Sequence, residues 1–94
     1  MYELPQTRER ICGRDSYVEF NATYPGSWQA EVVRVIAEDS RAVSEVAFNI
    51  GDETATGIAF FELEDGWIAR IVDYWPEPYE PPARNTSRIE RYDV

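Results

Sequence analysis

Trp67 to Trp75, reading WIARIVDYW, alternates with the period of a strand. Trp67, Ala69, Ile71, Asp73 and Trp75 share one face, and Ile68, Arg70, Val72 and Tyr74 share the other. The spacing sets one carboxylate, Asp73, on the same face as Ile71 and Trp75. A carboxylate among apolar and aromatic neighbours loses hydration, which disfavours its charged form and suits it to moving a proton as acid or base. The structural alternative is an aspartate in water at a strand end, or one paired with an arginine. Two absences narrow the chemistry further. The chain has no histidine, and all nine basic residues are arginine. A Ser-His-Asp triad, a Cys-His dyad, a His-rich metal site and Schiff-base chemistry are thereby excluded. Cys12, lacking an imidazole base, reads as a packed small residue rather than a nucleophile. Proton chemistry falls to Asp, Glu or Tyr, with no metal set and no cofactor implied.

Composition bounds the partners. At 94 residues the chain is one domain, able to bury only a modest core. Its 44% hydrophobic and 14% aromatic content marks it as globular rather than disordered. No apolar run approaches the ~18 residues of a membrane span, and there is no signal-peptide pattern. Eighteen acidic against nine basic residues give a net charge of −9, which argues against nucleic acid and anionic membranes as partners. A single cysteine cannot close an internal disulfide, so the expected compartment is the reducing cytoplasm.

The elements that must position Asp73 follow from periodicity and turn chemistry. Met1 to Pro5 reads as a short strand with Tyr2 and Leu4 on one face, and the Arg-rich Gln6 to Cys12 as a loop. A helix starts at Gly13, or at Ser16 with Glu19 in capping-box spacing, and places Tyr17, Phe20 and Tyr24 in one aromatic stripe. Pro25-Gly26 stops it. Trp28 to Glu38 and Arg41 to Ile50 read as strands joined by Glu38-Asp39-Ser40. Gly51-Asp52-Glu53 turns into a hairpin formed by Ile58 to Leu63 and the Asp73 strand, closed by Glu64-Asp65-Gly66 with the Asp-Gly pair tight turns favour. Four prolines, Pro76, Pro78, Pro81 and Pro82, preclude regular structure after Trp75. Residues 1–75 therefore form a body and 76–94 a Pro-rich tail, with Arg84 to Val94 an arm, a short helix or a frayed end. This order predicts an α+β domain: a curved antiparallel sheet with a helix on its concave face.

Three stretches, Gly13-Arg14-Asp15, Tyr24-Pro25-Gly26 and FFELEDGWIARIVDYW, carry a resemblance. Up to Trp75 the chain resembles the SnoaL-like branch of the nuclear transport factor 2-like superfamily, the cone-shaped fold of ketosteroid isomerases, polyketide cyclases and limonene-epoxide hydrolase. Family members begin with one or two helices that close the wide end of the cone, whereas this chain starts where they end. The resemblance therefore implies an N-terminally shortened product, or a lid supplied by a partner subunit.

What the resemblance implies for the site is mixed. Leu4 stands near the ketosteroid isomerases' general base and Ile58 near their protonated aspartate, so that chemistry is not reproduced. Asp73 matches the catalytic aspartate that limonene-epoxide hydrolase carries before its final aromatic pair, and Tyr2 matches a water-holding tyrosine on its first strand. The asparagine, arginine and second aspartate of that enzyme have no counterpart at Leu4, Val46 and Phe48. The implied pocket is lined by Leu4, Tyr17, Phe20 and Trp75, with Glu45 or Asn49 added according to which face of the third strand, Arg41 to Ile50, turns inward. A small apolar ligand such as a ring ketone fits either a cofactor-free proton-transfer enzyme or a non-catalytic binding module. Large residues on both sheet faces, and pairing of superfamily cones through the outer face, imply a homodimer through the sheet.

Overall fold

The computed structural model describes residues 1–23 and 25–92. Its elements in chain order are β1 (Tyr2–Leu4), β2 (Glu9–Ile11), α1 (Arg14–Ala22), β3 (Trp28–Glu38), β4 (Arg41–Ile50), β5 (Glu53–Glu64) and β6 (Trp67–Tyr74). The six strands form one curved sheet in the order β2-β1-β6-β5-β4-β3. Four of its pairings are antiparallel; β1 runs parallel to β6, with Tyr2 beside Ile71. The sheet is thus mixed rather than purely antiparallel.

The β5–β6 hairpin closes through Asp65 and Gly66, both at positive φ (51° and 82°), between the paired residues Glu64 and Trp67. Two successive left-handed residues twist the chain the way antiparallel strands require, which is why Asp-Gly stands there. The segment Gln6 to Cys12 is not all loop. Its end, Glu9–Ile11, folds back antiparallel on β1, with Arg8 at φ 61° in the turn. A three-residue polar strand carries no alternation long enough to read from sequence.

The helix begins at Arg14 and makes no side-chain cap, so the Ser16–Glu19 spacing is not used. Tyr17 and Phe20 turn toward the sheet, with ring centroids 4.9 and 6.0 Å from that of Tyr2; Tyr24 lies outside the described residues. No helical residue is buried. Residues 76 to 92 form no helix or strand, and 93–94 lie outside the described residues. Cys12 is exposed, its Sγ 3.5 Å from the Sδ of Met1, rather than packed.

Two bulges modify the alternation. One between Val32 and Arg34 leaves Val33 without a partner, so Val32 and Val35 share a face while Ile36 takes the other. A second, opposite Glu62 and Leu63, leaves Ala69 unpaired. Burial is shallow throughout. Among the described residues the buried apolar side chains are Tyr2 and Ala59, each 8% exposed, and β3 is exposed along its whole length.

Candidate functional site

The concave face of the sheet and the helix border an open cavity of about 650 Å³. Its floor is made by small residues of β5: Ala55, Gly57 and Ala59. Gly57 matters most, because a Cβ built there would meet the Trp75 indole at 2.7 Å. Glycine is what lets the indole lie flat on the strand. From Trp75 an aromatic wall continues across β4 and β3: Phe48 meets it edge-on at 5.3 Å, and Trp28 stacks on Phe48 at 5.5 Å.

Asp73 faces this cavity and is bound there. The Tyr2 hydroxyl donates to Asp73 Oδ2 at 2.5 Å. The contact follows from the parallel register: Tyr2 lies beside Ile71, and Asp73 is the next residue on that face. Desolvation pushes the Asp73 carboxyl above its ordinary value of 3.8, outweighing the hydrogen bonds from Tyr2 and the Trp75 side chain that pull it down. Burial also pushes the Tyr2 phenol well above its ordinary value, and the adjacent Asp73 adds to the shift. At neutral pH Tyr2 is therefore a fixed donor whose one hydrogen is committed to Asp73. The acceptor capacity that Tyr2 leaves on the carboxylate is shared between the Trp75 side chain and the cavity. The side-chain oxygen of Gln6 accepts the Trp75 backbone N–H and fastens the end of β6 to the β1–β2 turn.

The other residues expected at the site divide by sheet face. Leu4, Tyr17, Phe20 and Trp75 line the cavity together with Tyr2 and Asp73. Glu45 and Asn49 do not. The inward face of β4 is Ser44, Val46, Phe48 and Ile50, which sends Glu45 and Asn49 outward. Glu45 is held at 2.7 Å by Arg34 on the outer surface, and Asn49 is exposed between Gln29 and Thr54. The signal was present in the sequence, since Val46, Phe48 and Ile50 form the more apolar of the two alternating sets. Ser44 was missed altogether: it is 8% exposed, lines the cavity, and has no hydrogen bond among the described residues. Phe48, Trp28, Gly57 and Gln6 were likewise absent from the expectation, because their roles depend on cross-strand contacts.

On the outer face Arg70 grips Glu3 with two hydrogen bonds of 3.1 Å and Glu62 with one of 3.2 Å. The nearest arginine on β6 is thus occupied away from Asp73. Among the described residues no group of three or more His, Cys, Asp or Glu side chains could hold a metal ion, and no helix is long and apolar enough to cross a membrane.

No family model and no curated protein matches the sequence. Solved structures do. A crystal structure of a "putative ketosteroid isomerase" from Kribbella flavida DSM 17836 is 46% identical and superposes with a TM-score of 0.93, over 99% of this chain and 69% of that one. An "NTF-2 like protein of unknown function" from Burkholderia xenovorans LB400 is 22% identical with a TM-score of 0.79, over 98% of this chain and 73% of that one; it shows the fold alone. With a mixed curved sheet, a helix in its concavity and a relative 46% identical over 99% of this chain, the chain belongs to the nuclear transport factor 2-like (SnoaL-like) superfamily.

Proposed function

We propose that this chain binds a small, mostly apolar molecule in its concave cavity and transfers a proton on it, without a cofactor, through Asp73. The observation that carries this reading is the 2.5 Å Tyr2–Asp73 hydrogen bond set in a desolvated wall of the cavity. A carboxyl raised from its usual range is a better proton acceptor when ionised, and general acid–base catalysis is most effective when its pKa approaches the working pH. Tyr2 orients the carboxylate; the carboxylate takes a proton from a carbon beside a carbonyl and returns it from the carboxylic acid so formed. The relative described as a "putative ketosteroid isomerase" is consistent with that class of reaction. The resemblance sets Leu4 and Ile58 near the general-base and protonated-aspartate positions of that chemistry, so the proposal rests on Asp73 itself.

The test is deuterium exchange at the α-carbon of ring ketones such as 2-tetralone, followed by NMR in D₂O. The wild-type protein should accelerate exchange, and Asp73→Asn should reduce the acceleration by about 100-fold or more while leaving the circular dichroism spectrum intact. Exchange that survives Asp73→Asn contradicts the catalytic role.

A second reading, assembly, is favoured by the outer face. Ile36, Val43, Phe60 and Val72 lie in one cross-strand row, with Ile58 and Tyr74 in the next. Phe60 and Tyr74 pack edge-to-face at 6.0 Å yet stay 50% and 40% exposed. A symmetric dimer through this face covers the band and is compatible with either a catalytic or a purely binding cavity.

A further inference from the structure

We infer that the ligand is a flat apolar molecule bearing a cationic amine. This deepens the reading of the cavity as a small-molecule site and rests on it. The first observation is the sign of charge around the cavity. Glu9, Glu53, Asp73 and Glu77 line it, and among the described residues no arginine does, although the chain carries nine. Arginines are engaged elsewhere: Arg70 with Glu3 and Glu62, Arg34 with Glu45, and Arg91 with Glu80. A carboxylate or phosphate ligand would enter with no cation to receive it, whereas an ammonium would enter down the field of a chain of net charge −9.

The carboxylates stand beside an aromatic wall. In the sheet register Trp28 pairs with Ile50, and Ile50 with Glu53, so an indole and a carboxylate occupy one end of the cavity. An aromatic face and a nearby carboxylate are the two groups that together hold an organic ammonium while its hydrocarbon body stays dry. At the other end stands the Tyr2–Asp73 pair. Between them the Trp28–Phe48–Trp75 wall offers flat surface to a ring system.

Ser44 adds a hydroxyl to the cavity wall. Its side chain is more than nine-tenths buried against the cavity, and among the described residues nothing hydrogen-bonds to it. The hydroxyl oxygen keeps access to the open cavity, so it is available to a polar group of a molecule bound there. Ser44 is aligned with Ala59 and Ala59 with Asp73, so serine and aspartate are two strand spacings apart, roughly 10 Å, with only a methyl group between them. A molecule about two fused rings long spans that distance.

The experiment uses one hydrocarbon frame at three charges: 2-(aminomethyl)naphthalene, 2-naphthalenemethanol and 2-naphthoate. Each is titrated into the full chain by tryptophan fluorescence, since Trp28 and Trp75 both line the cavity. The amine should bind about tenfold more tightly than the alcohol, and the naphthoate more weakly than either. Raising the salt from about 20 to 300 mM should weaken the amine alone. Glu53→Gln and Glu77→Gln should each narrow the amine-to-alcohol ratio roughly three- to tenfold. Naphthoate binding as tightly as the amine, a ratio unmoved by both substitutions, or no binding by any of the three overturns the inference. Proton transfer is read separately by ketone exchange. Exchange without amine preference overturns only the ligand class, and amine preference without exchange overturns only the proposed chemistry.

Discussion

At the scale of the residue, the account turns on why Asp73 holds its proton more tightly than an aspartate in water. Burial raises the carboxyl, and the two donors, Tyr2 and Trp75, resist that rise without cancelling it. A carboxyl raised in the folded state contributes stability that is complete below its unfolded pKa and is lost as pH rises through the folded one. Asp73→Asn removes that loss, so the variant should gain stability relative to wild type as pH climbs from about 3 to 8. Urea unfolding at a series of pH values checks this; a parallel pair of pH profiles would contradict it. Tyr2 gives a second test. The chain has six tyrosines. In an ultraviolet titration of the folded protein one phenol should ionise well above the ordinary tyrosine value of about 10, and Tyr2→Phe should remove that late step. Asp73 was legible from alternation alone, because a single carboxylate interrupts an apolar face. Its partnership with Tyr2 was not, since the two stand 71 residues apart and meet through a parallel pairing that no local pattern encodes. Glu45 and Asn49 were ambiguous for another reason: alternation separates two faces without saying which is inside.

At the scale of the element, small residues on β5 decide where the large ones go. Gly57→Ala places a methyl group within 2.7 to 3.0 Å of the Trp75 ring. The indole must shift, and its lowering influence on the Asp73 carboxyl goes with it. We expect a cost of about 1–3 kcal/mol in urea unfolding and a changed tryptophan emission; an unaltered spectrum and stability would show that the indole does not rest on β5. The helix behaves differently from an ordinary core helix. Phe20 is only half-buried, so Phe20→Ala should cost about 1–2 kcal/mol, short of the ~3–5 of a fully enclosed ring. The four long strands and the helix were readable because each carries a periodicity sustained over many residues. The β2 strand was not, and neither were the bulges at Val33 and Ala69, which are set by pairing.

At the scale of the whole molecule, an isolated chain leaves too much surface uncovered. Its accessible area is 8445 Å², about half again the ~5,600 Å² usual for a folded monomer of this mass. Its radius of gyration is 16.4 Å, against about 12 Å for a compact chain of this length. The exposed outer band from Ile36 to Val72 is the surface whose cover we assign to a second copy. Sedimentation equilibrium at micromolar concentration should give twice the chain mass of 10.9 kDa. Phe60→Arg should return the monomer without unfolding it, since Phe60 is already half exposed in the single chain. A wild-type chain that sediments as a monomer contradicts this assignment. The α+β class and the curvature could be read from strand order and turn residues, while the extent of uncovered surface emerged only from the folded structure.

The central claim is that Asp73 is a desolvated, Tyr2-bound proton carrier facing the cavity, and its own titration is the direct test. The pH dependence of the Asp73 side-chain carboxyl carbon, followed by carbon-13 NMR in the folded protein, should show a midpoint above 3.8. In Tyr2→Phe, which removes a donor to the carboxylate, the midpoint should move higher still. A wild-type midpoint at or below 3.8, or a Tyr2→Phe midpoint that stays in place, would contradict the account.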